Sequence, residues 1–423
     1  MKIDKLLRRF FYLCATCIFS TASLSASTIE DSNDIEQKDI NAVREWINTK
    51  RQVTVNELGG ALSIAGEVRT ELQSASETSN GIKQRGSGSP IIQSSTGHPF
   101  PQNAFDIEVN LMLDYRAERS WASIKLEFDN NAGIDSGTFD RIKLERAYWA
   151  ARVIDADTFT FDVELGRRKI SGVVDSKIEF NAFFDGAWFK YDQSLDQIAD
   201  VYLHAGVFII NENKNQFGYL GEFGILNVGG TGFYTKYSLI DWDTKDLHNN
   251  IDNHRFDFIV SQLILGYKFL PNRLQKIVQI YAAGLWNHAA RRLGITGFKR
   301  ANFGGYVGFS IGELKKQGDW AFDINYQVLA AQCVPDFDIQ GIGLGNAANA
   351  GFYSSNIKGG GAPTTRKTAA GNGNYRGFQM TLDYLLTNQL NMQQSWQQSI
   401  TLDDSIGPFR RYKQYEIEFI YGF

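Results

Sequence analysis

The chain has 423 residues and a formal net charge of −4, so no global basic field points to nucleic acid. An apolar fraction of 43% and a mean hydropathy of −0.27 suit a soluble protein, and equally a barrel whose strands are apolar on one face only. Forty glycines, 30 phenylalanines, 18 tyrosines and 8 tryptophans stand against 7 prolines, a composition that favours long paired strands joined by tight turns.

The first residues read as an export signal, assigned to residues 1–26. Lys2, Lys5, Arg8 and Arg9 precede a short apolar run from Phe10 to Phe19, and small residues around Ser25, Ala26 and Ser27 offer a cleavage site. An uncleaved interfacial anchor is the competing reading. Cys14 and Cys17 fall inside this signal, which leaves Cys333 alone and excludes an internal disulfide or a cysteine-based zinc site. Beyond the signal no run of eighteen apolar residues occurs, so no transmembrane helix is expected.

Residues 27–60 are expected to form a periplasmic helical leader. Within residues 32–51, Ile35, Ile40, Val43, Trp46 and Ile47 share a stripe, with acids early and Lys50 and Arg51 late, as the helix macrodipole prefers. From Ala61 to Phe423 the apolar period becomes two. Phe105, Ile107, Val109, Leu111, Leu113 and Tyr115 alternate with Asp106, Glu108, Asn110, Met112, Asp114 and Arg116. A tilted strand needs roughly ten residues to cross the hydrocarbon of a bilayer, whereas a soluble sandwich strand is nearer five or six. The same alternation recurs around Ile124, Phe161, Ile324 and Leu382. It weakens in residues 141–152, 183–191 and 256–269, where a bulge or a shifted face is expected.

Connections alternate in length. Short ones fall at residues 117–120, 154–157, 192–200, 229–231, 270–275, 313–319 and 387–391, and longer ones at 74–103, 130–140, 169–181, 243–254, 288–301 and 332–375. The expected fold is therefore all-β: a transmembrane antiparallel up-and-down β-barrel of about sixteen strands, with short periplasmic turns and long outer loops. Tyr115, Trp121, Tyr148, Phe159, Tyr267, Phe269, Phe309 and Trp320 lie beside turns, where an interfacial girdle would place them. The last segment, from Tyr415 to Phe423, puts Tyr415, Ile417, Phe419, Tyr421 and the terminal Phe423 on one face.

A polar-alternating final strand ending in Phe is similar to the assembly signal of bacterial outer-membrane proteins, here carried by Phe419, Tyr421 and Phe423. With the strand pattern, the chain resembles a bacterial general-diffusion porin over residues 61–423. Residues 44–51 resemble the leader of porins with an extra periplasmic segment. The resemblance implies a signal-exported outer-membrane homotrimer of water-filled barrels, delivered by the barrel-assembly machinery through the C-terminal strand and surrounded by outer-membrane lipid. It also implies a loop after the fifth strand folded inward as a constriction, here residues 169–181 with Asp175, Lys177 and Glu179. The Gly-rich stretch 332–375 is the alternative constriction.

A channel has no reaction to catalyse, so its function lies in lumen charge and width. Candidate pore-lining acids are Glu67, Glu71, Asp106, Glu108, Asp114, Glu127, Asp129, Glu145, Asp162, Glu164, Asp323, Asp383, Glu416 and Glu418; candidate bases are Arg69, Arg116, Lys125, Arg141, Lys143 and Lys236. The acid excess predicts mild cation selectivity for small hydrophilic solutes and ions. No enzyme, cofactor, metal or nucleic acid is expected. His98, His204, His248, His254 and His288 are scattered, with only Asp252 close to one of them, and Gly341, Gly343 and Gly345 lie in a presumed loop rather than between strand and helix. A substrate-specific channel or a barrel adhesin is the alternative, in which Tyr202, Phe208, Tyr234 and Tyr306 would face the lumen.

Overall fold

The computed structural model describes residues 53–57, 60–90, 99–131, 140–195, 198–212, 215–242, 258–292, 298–335, 338–342, 373–405 and 408–423. The expected signal peptide, and the leader up to residue 52, lie outside this set, as do the histidines at 98, 248 and 254.

The described chain is almost entirely extended. In order the strands are β1 (Val53–Glu57), β2 (Gly60–Ser79), β3 (Ile82–Lys83), β4 (Asn103–Arg116), β5 (Ser120–Asn131) and β6 (Asp140–Asp155). There follow β7 (Phe159–Lys169), β8 (Phe183–Leu195), β9 (Ala199–Asn211), β10 (Gln216–Leu226), β11 (Phe233–Trp242) and β12 (Phe258–Phe269). The remaining strands are β13 (Val278–Asn287), β14 (Phe303–Gly312), β15 (Trp320–Leu329), β16 (Tyr375–Leu385), β17 (Leu390–Thr401) and β18 (Arg410–Gly422). Sixteen of them, β2 and β4 to β18, pair antiparallel in chain order, and β18 returns to β2 from Arg410 opposite Ser79 to Gly422 opposite Glu67. The barrel is closed, so it has no open sheet edge between β18 and β2.

β1 and the terminal Phe423 meet along one edge of β2. Val53–Glu57 pairs with residues 60–64 of β2, on the edge opposite β4. The terminal Phe423 sits just beyond, exchanging backbone bonds with Gly66 of 3.0 and 2.9 Å. The β1 strand falls inside the stretch expected as leader, where Val53 and Val55 alternate with Thr54 and Asn56 over too short a run to stand out.

Turns and loops alternate broadly as expected, but on the long-loop side the β9–β10 connection is only four residues, 212–215, and β17–β18, 402–409, is no longer than the β12–β13 turn, 270–277. The barrel strands run from 10 to 20 residues. Their outward residues are large, apolar and exposed, among them Ile64, Leu72, Phe105, Ile124, Trp149, Phe189, Leu203, Phe223, Leu263, Ile324, Trp396 and Tyr415. A water-soluble barrel would not leave such a band uncovered.

The weakly patterned strands divide into two cases. In β6 the register slips opposite Lys125 and Leu126 and again between Arg152 and Ile154, so the expected bulges are present. The described parts of β8 and β12 carry no slip. Their alternation fades because Phe184 and Trp188 of β8, and Phe258 and Val260 of β12, point inward into an apolar cluster. Both faces of these strands are therefore greasy. Tyr148 also departs from expectation: it lies on the inner face beneath the Arg168 guanidinium, 5.0 Å from its ring centre, rather than in an outer girdle.

Candidate functional site

The barrel interior has three chemically distinct walls. The first runs over β18, β2 and β4 to β8 and is ionic. Arg69 lies among Glu67, Glu108 at 3.2 Å and Glu418 at 3.6 Å. Lys125 pairs with Glu145, Lys143 with Glu127 at 2.5 Å, and Arg152 with Asp162 at 2.9 Å. Glu164 holds both Arg168 and Lys190, and Asp114 accepts from the Ser123 hydroxyl at 2.5 Å. Register alone sets Glu418, Glu71 and Asp106 side by side on three successive strands. Carboxylates this close raise the local negative potential with only Arg69 among them.

Joined by Arg152, Arg168 and Lys190, which were not selected from the sequence, the sequence-selected residues among these share the inner face. Asp323 and Asp383 do so from β15 and β16, where Asp323 accepts from the Tyr281 hydroxyl at 2.7 Å and Asp383 from Gln393 at 2.8 Å. The side chains of Asp129 and Arg141 lie outside the described set.

The second wall, β8 to β14, is aromatic and glycine-rich. Trp188 faces Gly206, Phe208 faces Gly218, Tyr202 faces Gly224, Tyr234 faces Gly266 and Tyr281 faces Gly308, each pair in register across neighbouring strands. A Cβ at any of these glycines would overlap the ring opposite, so the rings lie flat against the wall. Tyr202, Phe208, Tyr234 and Tyr306 are thus inward, but they are packed and nearly fully buried.

Trp188, Phe208, Tyr281 and Tyr306 pack against two loops folded into the barrel. Residues 170–182, after the fifth barrel strand, bury Ile170, Val174, Ile178 and Phe180; residues 330–342 bury Cys333, Val334, Ile339 and Ile342 in the same cluster. Burial of this apolar surface favours the folded-in position by the usual ~25 cal/mol per Å². Polar ties fix where the first loop ends up. Lys236 of β11 pairs with Asp175, the Ser176 hydroxyl donates to Gln262 of β12 at 2.7 Å, and Gln262 donates back to the Asp175 carbonyl at 2.8 Å. Lys177 reaches Asp323 of β15 at 3.7 Å. The loop therefore crosses from β7 and β8 to the opposite strands.

Asp338 joins the two loops, accepting from the backbone N–H groups of Phe180 at 3.2 Å and Ala182 at 3.0 Å. Burial pushes its carboxyl up to about 7, against the pull of those N–H donors and of Lys169. Glu179 is also fully buried, its carboxyl oxygens having no hydrogen-bond partner among the described residues; burial, then Asp338, pushes it well above the usual carboxylate range. The two stretches expected as alternative constrictions thus pack together, although residues 343–372 of the second lie outside the described set. Asp338 was not selected from the sequence, where nothing separates it from any loop aspartate.

The third wall, β15 to β18, is lined by amides. Sequence reasoning weighed charges and aromatic rings and passed over the Gln-Gln-Ser-Trp-Gln-Gln-Ser run of β17, whose alternate residues Gln393, Ser395, Gln397 and Ser399 face inward.

This architecture has relatives among solved structures. The chain superposes on OprB of Pseudomonas putida with a TM-score of 0.51 at 9% identity, covering 86% of this chain and 94% of that one. The fold is that of an outer-membrane porin. Salmonella typhi OmpF in complex with daunomycin matches with a TM-score of 0.47 at 11% identity, over 88% of this chain and 100% of that one. Acinetobacter baumannii DcaP, an outer-membrane channel, matches with 0.44 at 10%, over 87% and 99%. No family model matches the porin-fold chain, and neither does any curated protein. Identities this low speak for the fold alone.

Proposed function

We propose that this porin-fold chain forms a water-filled channel in a bacterial outer membrane, passing small hydrophilic solutes and ions by diffusion with a mild preference for cations. The observation that carries the reading is the polarity of the closed barrel: apolar and exposed outside, charged and hydrogen-bonded within. Backbone groups paired all round and a lipid-compatible exterior suit a bilayer, which only helices and closed barrels can cross.

The mechanism follows from the interior. The loop at 170–182 takes up cross-section against β11 to β15, so passage runs along the ionic and amide walls. Acids outnumber bases on the inner row of Glu418, Glu71 and Asp106, where a cation exchanges part of its hydration for carboxylate contacts while an anion is repelled. Asp175, Lys177 and Glu179 then belong to the constricting loop, with Asp175 and Lys177 tying it across and Glu179 buried within it. The homotrimer and the handling of Phe419, Tyr421 and Phe423 by the assembly machinery are part of the same reading, as is export by a cleaved signal. No catalytic role is assigned.

Planar-bilayer recording with the purified chain under a potassium chloride gradient tests the proposal. Stepwise conductance with a reversal potential displaced toward potassium is expected; a displacement toward chloride would sink the selectivity claim.

A further inference from the structure

The amide wall is organised beyond what a plain water-lined surface needs. Register places Asn325, Gln379, Gln397 and Gln414 side by side across β15, β16, β17 and β18. The adjoining row brings Thr381, Ser395 and Glu416 together on the same face. Neighbouring strands are about 4.8 Å apart and i, i+2 residues about 6.8 Å apart, so these groups form a grid of a size that one sugar ring spans.

The edges of the grid are tied down. Gln414 accepts from the Gln397 amide and the Tyr412 hydroxyl, both at 2.5 Å, and donates to Glu416 at 2.8 Å. Asn325 donates to Asp323 at 3.1 Å and accepts from Gln327 at 2.8 Å. The centre is not tied. The amide of Gln379 and the hydroxyl of Ser395 make no side-chain hydrogen bond among the described residues, and both are half-buried on the inner face. Each can donate and accept at once. Gln397 stands opposite Gln379 and two residues from Ser395 on the same face.

Charge excludes one class of occupant. Among the described inner-face residues of β16 and β17 there is no lysine or arginine, and Asp383 is engaged by Asn391 at 3.1 Å and Gln393 at 2.8 Å. An anion here faces the carboxylates of Asp323 and Glu416 in the adjoining row, and Lys177 at this wall is already paired with Asp323 at 3.7 Å. A neutral solute with many hydroxyls meets fixed donors and acceptors at matching spacing, each interchangeable with the water it displaces.

We infer that the inner faces of β15 to β18, centred on Gln379, Ser395 and Gln397, form a weak binding track for neutral polyhydroxylated solutes, sugars and polyols, within the channel. The inference rests on the channel reading, which supplies the path. Binding is saturable, in contrast to passage governed by size alone.

The test uses the full chain in planar bilayers in potassium chloride, with maltose as probe and a polyethylene glycol of matched hydrodynamic size as control. Maltose is expected to lower the ion current saturably with added current noise, while the polyether lowers it in proportion to concentration. In Q379A/S395A the half-blocking maltose concentration rises at least ten-fold relative to that variant's own open current, and Q379N with Ser395 intact restores most of the block. Equal effects of maltose and polyether overturn the track, as does unchanged maltose block in Q379A/S395A. Absence of any conductance step refutes the channel reading, and the track with it.

Discussion

The two inward loops are joined through carboxyls that burial holds protonated, and their union should loosen as pH rises. Asp338 is pushed from 3.8 to about 7, so ionising it in place costs about 4 kcal/mol relative to the exposed group. The sign follows from proton counting. The closed loops bind a proton that the opened loops release between pH ~4 and about 7, so closure is fullest below that window and weakens as pH climbs through it. Glu179, raised by burial and by Asp338, extends the loss to higher pH. Cys333 is buried in the same cluster and serves as reporter. Its labelling by a maleimide, read by mass spectrometry of the Cys333 peptide, should be compared between the native chain and E179Q/D338N at each pH. The variant loses one acceptor for a backbone N–H, which shifts the ratio of rates by a constant. The native-to-variant ratio should rise at least ten-fold from pH 5 to pH 8, with about a hundred-fold as Asp338's own ceiling over the roughly two pH units between 5 and about 7. A ratio flat across that range would refute the carboxyl link.

Three further outcomes are expected. In G66V the new side chain would overlap the Phe423 ring, and the seam should lose about 1–3 kcal/mol, seen as a smaller heat-modifiable fraction on gels. Q262L removes both hydrogen bonds that hold Ser176 and the Asp175 carbonyl, about 1 kcal/mol each, so single-channel records should show more frequent partial closures; an unaltered record would argue against the tie. R69Q leaves Glu67, Glu108 and Glu418 without their base, and the potassium-to-chloride permeability ratio should at least double in reversal-potential measurements.

The sequence displayed the barrel wherever a strand has water-like chemistry on one side and lipid-like chemistry on the other. β4 shows this best: Asp106, Glu108, Asn110 and Asp114 inside against Phe105, Ile107 and Leu113 outside. Where the interior is itself apolar the signal vanishes, as in β8 and β12, because period-two reading assumes a polar inner face that the folded-in loops remove. The charged lining was legible through parity alone. The amide row was visible in β17 but carried no charge to draw attention. Asp338 and the pairing of the two loops were beyond reach, since contacts between residues 179 and 338 depend on barrel closure and no local pattern encodes them.

The shared edge of β2 bears on how such a chain finishes folding. With residues 60–64 taken by β1 and Gly66 taken by Phe423, the last strand slides along β2 only until Phe423 reaches β1. A slip of one residue would turn Tyr415 and Tyr421 inward and Glu416 and Glu418 toward lipid. The opening strand thus acts as a doorstop. It lets the barrel shut in one alignment, and it makes the register of the final seam a property of the N-terminal segment as much as of the terminal phenylalanine.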